Sequence, residues 1–339
     1  MITFQENISL KQYNTFGINV LARKFATISD LMELRETISS WKLAVEPLLL
    51  LGGGSNMLFL HDFEGLVLKI ENKGIELLSE DEDFITIKSA AGENWHDFVT
   101  WCVDRGYGGL ENLSLIPGNV GSCPIQNIGA YGVEMKDSFV SLEAFDIQSG
   151  ELYQLDRKAC NFSYRDSIFK HQLKGKVIIW TVTFKLSRNP VVQLEYGAIS
   201  QELNKMGVFN AGIKEVSEAV CNIRRAKLPN PAEIGNAGSF FKNPSISAER
   251  AEMLKSAYPG LVSYSLPDGN VKLAAGWLIE QCKWKGFRRG DAGVHPRQAL
   301  VPVNYGNASG AEIVTLAEEI QQSVLEKFDV LLDMEVNII

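Results

Sequence analysis

An α+β chain organised as two domains is expected from three features of the sequence: short strand-like apolar runs, helices marked by 3.6-residue stripes, and glycine-rich stretches that separate them. Its 339 residues, 45% hydrophobic and 22% charged, exceed what one ordinary domain needs. Lys and Arg number 33 against 41 Asp and Glu, a net charge of −8, without the cationic excess that a polyphosphate backbone attracts. Nucleic acid is therefore not an expected partner. Cys102, Cys123, Cys160, Cys221 and Cys282 form no C-x-x-C pair, and His61, His96, His171 and His295 stand far apart. Neither a disulfide framework nor a metal site is indicated. No run approaches the roughly 20 apolar residues of a membrane span, and the first residues lack a signal-peptide pattern. A soluble, cytoplasmic protein is the expectation.

In the first half the strand candidates are Leu48–Leu51, residues 65–70 and residues 85–91, the first emptying into Gly52, Gly53 and Gly54. Trp95, Phe98, Val99 and Cys102 fall at i, i+3, i+4 and i+7 and predict an amphipathic helix that Gly106 ends. A glycine-rich connection follows from 106 to 132. Residues 140–146 and 152–155 flank Gln148, Ser149 and Gly150 as a hairpin, and 177–186 is a β-branched and aromatic strand, so this part is largely antiparallel. Asn189 and Pro190 break that strand, and the domain boundary is placed in the polar stretch after it. Residues 1–190 then form the first region, in two subdomains of about 1–70 and 71–190; 191–210 are a linker and loop, and 211–339 the second domain. Val216, Val220 and Ile223 predict a helix that stops before Pro229, and Ser309 with Glu312 makes a capping box ahead of Ile313, Leu316 and Ile320. A closing strand is expected over 329–337, its alternation setting Asp333 and Glu335 on one face.

Two loops invite a ligand. Gly52-Gly53-Gly54-Ser55-Asn56 lets the backbone turn and approach a phosphate with its N–H groups, though taken alone it reads better as a plain tight turn. It has neither the dinucleotide-binding spacing nor a P-loop lysine. From Ile116 to Gly132 the chain carries four glycines, amides and hydroxyls but no charged residue. Such a segment makes a poor core and a good wrapping for an anionic group, the alternative being a long surface loop. Two such loops in one region suggest a cofactor with a diphosphate.

Gly52 to Asn56, the Pro117 to Gly132 loop, Tyr164-Arg165-Asp166, the loop Gly238-Ser239-Phe240-Phe241-Lys242-Asn243-Pro244 and Glu335, in that order over nearly the whole chain, resemble the UDP-N-acetylenolpyruvoylglucosamine reductase family, also called UDP-N-acetylmuramate dehydrogenases. The 193–200 stretch resembles the longer form of the family, in which a loop covers the substrate. The resemblance implies an FAD-binding fold of the vanillyl-alcohol-oxidase and p-cresol-methylhydroxylase type, followed by an α+β substrate-binding domain. It implies noncovalent FAD, NADPH as reductant, and reduction of the enolpyruvyl ether of UDP-N-acetylenolpyruvoylglucosamine to the lactyl ether of UDP-N-acetylmuramate. That step belongs to cytoplasmic peptidoglycan-precursor synthesis and so to cell shape and division. A monomer acting on a UDP-sugar, without membrane or metal, is expected. The chain stops at Ile339, whereas the longer form can run further, so no contact from a carboxy-terminal tail is expected.

Residue by residue, the resemblance assigns FAD to Gly52, Gly53, Gly54, Ser55, Asn56, Pro117, Gly118, Asn119, Gly121, Ser122, Gln126, Asn127, Gly129, Ala130 and Tyr131. Hydride delivery to the alkene leaves negative charge on the neighbouring carbon and its carboxylate, which calls for a cation, hydrogen bonds and a proton donor. The resemblance supplies Ser239 as donor, Arg165 as cation and Glu335 as third catalytic group. Tyr164, Tyr196, Lys227, Asn243 and Gln298 are the implied substrate contacts. Read alone, Ser239 is a turn residue, Arg165 a partner for Asp166, Glu335 a solvated carboxylate, and Lys227 with Arg224 and Arg225 a helix-end cluster. A flavin oxidase using oxygen, or a non-catalytic ligand sensor, are the competing readings.

Overall fold

The structure, a computed structural model, describes residues 4–41 and 46–339. Two compact units divide the chain: one holds the residues up to 8, 22–53 and 63–226, the other 9–21, 54–62 and 227–339.

The first unit is built on two sheets. One runs in the order Gln5–Ser9, Leu21–Ile28, Phe63–Ile70, Leu48–Leu51, with the second and fourth strands parallel to Phe63–Ile70. Leu66, Val67 and Leu68 are wholly buried, as an inner parallel strand covered on both faces requires. The other sheet is antiparallel, in the order Leu152–Asp156, Phe139–Asp146, Val177–Ser187, Phe84–Ala90, Ile75–Glu80. The expected strands and hairpin are thus present, with Gly150 at φ +74° closing the turn.

Helix α1 (Leu31–Ser40) begins at Asp30, whose side chain accepts the Glu33 N–H, and α2 (Trp95–Asp104) begins at Asn94 in the same way. A register slip opposite Thr181 and Ile179 turns the Val177–Ser187 strand over. Ile178 and Trp180 therefore pack with Leu34, Ile38 and Leu68, while Val182 and Phe184 pack with Trp95, Phe98 and Val99 of α2. One strand serves two cores.

The segment expected as a linker over 191–210 carries α3 (Gly197–Lys205), and α4 (Ile213–Lys227) follows it. Ile199 and Leu203, at i and i+4, bury against Val216, Val220 and Ile223, so this stretch stays in the first unit, which runs to Ala226. The polar composition of 191–210 conceals that two-residue apolar stripe.

The second unit contains α5 (Ala248–Ala257), α6 (Ala275–Gln281) and α7 (Gly310–Phe328) with two small antiparallel sheets. Strands Ser245–Ile246, Val271–Leu273 and Ser263–Ser265 make one, and Arg288–Arg289, Ala292–Val294 and Pro302–Asn304 the other. The capping box of α7 forms as expected, Ser309 accepting the Glu312 N–H and Glu312 accepting that of Ser309. Leu10, Phe16, Leu58 and Phe59, from early in the chain, are fully buried in this unit. Gly235 and Gly310 let it close on them: a Cβ at either would collide with the carbonyl of Phe16 or Phe59.

The continuous strand expected over 329–337 is not formed. Asp329 ends α7 in the left-handed region, a bridge joins Met334 to Phe241, and only Asn337–Ile338 pairs as a strand, parallel to Met57–Leu58. Burial still alternates at Val330, Leu332 and Val336. Alternation records which face is buried, but a ladder also needs a neighbouring strand of equal length.

Candidate active site

In the first unit the two glycine ribbons meet. A Cβ on Gly53 would lie 2.8 Å from the Gly118 Cα and 3.0 Å from Asn119 Oδ1, and one on Gly52 3.7 Å from the Asn119 Cβ. The ribbons touch backbone to backbone, and only glycine allows it. Gly121 presses the second ribbon onto Ala91, donating to its carbonyl at 2.9 Å. Asn119 and Ser122 shape the turn: Ser122 Oγ donates to the Asn119 carbonyl at 2.7 Å, and Asn119 Nδ2 to that of Gly92 at 3.2 Å. Pro117 is exposed at the loop's edge, Gln126 half-buried and Asn127 fully buried.

This second ribbon is entered through strained backbone. Leu115 has φ +58°; His96 Nδ1 accepts its N–H at 3.0 Å and Arg224 Nε donates to its carbonyl at 3.1 Å. Burial lowers the His96 pKa below its ordinary value, which keeps the ring neutral and able to accept. Arg224 also hydrogen-bonds Tyr131, whose phenol is raised above its usual pKa chiefly by burial. A half-buried guanidinium beside uncharged loop donors suits a ligand with anionic groups, so a wrapped dinucleotide such as FAD fits the residues present. In the sequence Arg224 is one of a basic cluster at a helix end, with only its spacing to set it apart from Arg225. Its position, i+4 from the buried Val220, was the available signal.

Arg165 sits in a tight turn at φ +54°, its Nη2 donating to the Gly129 carbonyl at 2.5 Å and its guanidinium 5.4 Å from the Tyr164 ring. Asp166 pairs with His171 at 2.7 Å, which helps hold its carboxyl below the usual range. Tyr196 precedes α3 and meets Tyr131 edge to face, centroids 5.3 Å apart. Asn112, missed in the sequence, is buried, and its Nδ2 donates to the carbonyls of Tyr131 and Gln193, each at 3.1 Å.

The second unit gathers another group of candidates. Ser239 is exposed, between Gly238 at φ +69° and the buried pair Phe240 and Phe241. Glu335 N–H donates to the Phe240 carbonyl at 2.7 Å, and Lys242 N–H to that of Asp333 at 2.9 Å. These bonds lay the Glu335 segment antiparallel against the Ser239 loop. Ser55 and Asn56 belong to this unit as well, Asn56 Nδ2 donating to the Glu335 carbonyl at 3.2 Å. Asn243 Oδ1 accepts the Ala275 N–H at 3.0 Å, and Gln298 Oε1 would lie 3.3 Å from a Cβ on Gly276, so both amides stand at the start of α6. Lys227 is exposed at the end of α4. Thus Arg165, Tyr164 and Tyr196 are placed by the first unit, and Ser239, Glu335, Asn243 and Gln298 by the second. Among the described residues no cluster of His, Cys, Asp and Glu could hold a metal, and no helix is long and apolar enough to cross a membrane.

Comparison with known proteins agrees with this division. Residues 23–156 match the FAD binding domain family, and residues 230–339 match the family described as UDP-N-acetylenolpyruvoylglucosamine reductase, C-terminal domain. The chain is 50% identical to the UDP-N-acetylenolpyruvoylglucosamine reductase of Pseudomonas putida over 337 residues, 99% of each chain. It is 50% identical to that of Pseudomonas aeruginosa and 49% to that of Flavobacterium johnsoniae, again over 99% of each. Among solved structures it resembles the UDP-N-acetylenolpyruvylglucosamine reductase of Thermus caldophilus, with a TM-score of 0.68 and 23% identity over 100% of this chain and 99% of that one. A solvent-stable cholesterol oxidase resembles it with a TM-score of 0.50 and 12% identity, covering 98% and 87%. These two likenesses bear on the fold alone, and they agree with the flavin-binding fold the sequence implies. By its identity to whole-length relatives and by its two family matches, the chain belongs to the UDP-N-acetylenolpyruvoylglucosamine reductase family of oxidoreductases, with an FAD-binding domain in its first part.

Proposed function

We propose that this protein reduces UDP-N-acetylenolpyruvoylglucosamine to UDP-N-acetylmuramate with NADPH as reductant, in the cytoplasm, as a monomer. FAD, when bound, supplies two-electron chemistry between NADPH and the alkene. The observation that carries the reading is the antiparallel seating of Glu335 against the Ser239 loop, through the 2.7 Å bond from its N–H to Phe240. It brings the only hydroxyl of that loop and a carboxyl into one neighbourhood, as protonation of a carbon beside a carboxylate demands.

On this reading Gly52, Gly53, Gly54, Ser55, Asn56, Pro117, Gly118, Asn119, Gly121, Ser122, Gln126, Gly129, Ala130 and Tyr131 hold the cofactor, which the missing side chains of Gly53 and Gly118 let rest close against the backbone. Cys123 lies in the loop but is buried, and its thiol is pushed well above its usual pKa, which fits noncovalent binding. Ser239 gives its proton to the carbon next to the substrate carboxylate. Arg165 offers the substrate carboxylate a planar fork of donors, and Glu335 is the third catalytic group, helping to stabilise the enolate. Tyr164 and Tyr196 present flat faces to the sugar nucleotide, and Lys227, Asn243 and Gln298 bind its polar groups.

An anaerobic titration tests the whole. The purified protein is expected to be yellow, to bleach on NADPH and to regain colour on stoichiometric enolpyruvyl sugar nucleotide. Recolouring by oxygen alone, with the sugar nucleotide inert, would sink the proposal in favour of an oxidase.

A further inference from the structure

Asn127 lies in the loop assigned to the cofactor, yet it is fully buried and its amide faces inward. Its Nδ2 donates to the Ser163 carbonyl and to Glu134 Oε2, each at 3.0 Å, and its Oδ1 accepts the Lys136 N–H at 3.1 Å. Three of its four hydrogen-bonding positions are therefore committed within the protein.

Both structures that Asn127 holds are those that hold Arg165. Ser163 opens the turn carrying Arg165: the N–H of Ser163 donates to the Asp166 carbonyl at 3.1 Å, and that of Asp166 to Ser163 at 3.3 Å. Glu134 pairs with Gly129 across the short hairpin of Gly129–Ala130 and Val133–Glu134, and the Gly129 carbonyl is the acceptor of the Arg165 guanidinium. One amide thus fixes the turn bearing the Arg165 backbone and the hairpin bearing its acceptor. Lys170 Nζ supports the turn from its other side, donating to the Arg165 carbonyl at 3.1 Å. Arg165 has φ +54°, a conformation that an L residue keeps only when its surroundings impose it.

We propose that Asn127 is a positioning residue for Arg165, with Lys170 as its counterpart across the turn, and that it does not bind the cofactor. Its task is orientation: a guanidinium displaced by about 1 Å from a developing charge loses up to about 100-fold in rate. The proposal rests on the role given to Arg165 above.

The test uses the flavoprotein carrying Asn127→Asp, alone and with Arg165→Ala, in anaerobic single-turnover experiments. Aspartate keeps the shape and the acceptor for Lys136 N–H but sets a carboxylate against the Ser163 carbonyl and Glu134. The expected result is an unchanged flavin content, bleaching by NADPH within about twofold, and recolouring by the sugar nucleotide slowed about 10- to 100-fold. Added to Arg165→Ala, the same change should cost nothing more, because the group it positions is gone. Release of FAD, equal slowing of both half-reactions, or a full further loss on the Arg165→Ala background would each overturn the proposal. Arg165→Ala alone separates the two readings: if it recolours at the normal rate, the role of Arg165 fails, and if it is slow while Asn127→Asp is normal, only that of Asn127 fails. Should the aspartate variant not fold, Lys170→Met is expected to give the same selective slowing, and normal recolouring there would count against the positioning frame.

Discussion

Ser239 owes its placement to its neighbours. Phe240 packs on Phe16 and Phe241, both phenylalanines of the loop are buried, and Gly238 supplies the positive φ that turns the chain just before the hydroxyl. The serine itself contributes nothing visible to packing, so Ser239→Ala should fold normally. It is expected to bleach with NADPH at the normal rate and to regain colour about 10²–10⁴-fold more slowly, as measured by single-turnover absorbance. Gly53 is the reverse case, a residue whose value is an absent atom. Gly53→Ala would push a methyl to 2.8 Å from backbone, which cannot swing aside. A cost of about 1–3 kcal/mol in FAD retention is expected, read as an increase of roughly tenfold or more in the flavin dissociation constant. At this scale the sequence was informative where glycine, serine and arginine stand in long motifs. It was silent where a residue works through bonds to distant backbone: Asn112, His96 and Arg224 look ordinary until those hydrogen bonds are drawn.

Among elements, α2 and the strands around it were legible because an uninterrupted apolar period dictates both their type and the face they bury. Helix α3 was not, since Ile199 and Leu203 are two apolar residues in a polar run and gain meaning only from α4, which the chain reaches later. The closing segment misled for the complementary reason: its alternation is real in burial, but its partners, the Phe241 loop and Met57–Leu58, are too short to extend a ladder. Local pattern reports burial; pairing depends on what lies alongside. The same distinction defines the segment before α3, which is tied down by Asn112 through the Gln193 carbonyl and by Ser200 Oγ donating to Leu194 at 3.0 Å. Asn112→Ala removes one donor from two carbonyls at once. It is expected to cost about 1–3 kcal/mol in urea unfolding, to speed proteolysis within 190–196, and to raise KM for the sugar nucleotide more than it lowers kcat.

For the whole molecule, acid stability follows from two imidazoles that folding withdraws from water, His295 fully and His96 in part. His96 and His295 both have pKa values below the ordinary 6.5, in each case chiefly through burial. The folded protein therefore binds protons at these rings less readily than the unfolded chain does. Their contribution is complete above pH 6.5 and is lost as pH falls through the lowered folded values. Melting temperature should fall from pH 7 towards pH 5, and His96→Asn, which can still accept the Leu115 N–H, should flatten part of that slope.

The discontinuity of the second unit has a consequence for biogenesis. Leu10, Phe16, Leu58 and Phe59 leave the ribosome early, but the residues that bury them begin at Lys227. At typical synthesis speeds of about 5–20 residues per second, these side chains remain without their final partners for on the order of ten seconds. A nascent chain of this kind presents sticky amino-terminal segments throughout that interval, so its yield in the cell should respond to holdase chaperones more strongly than its finished stability would suggest.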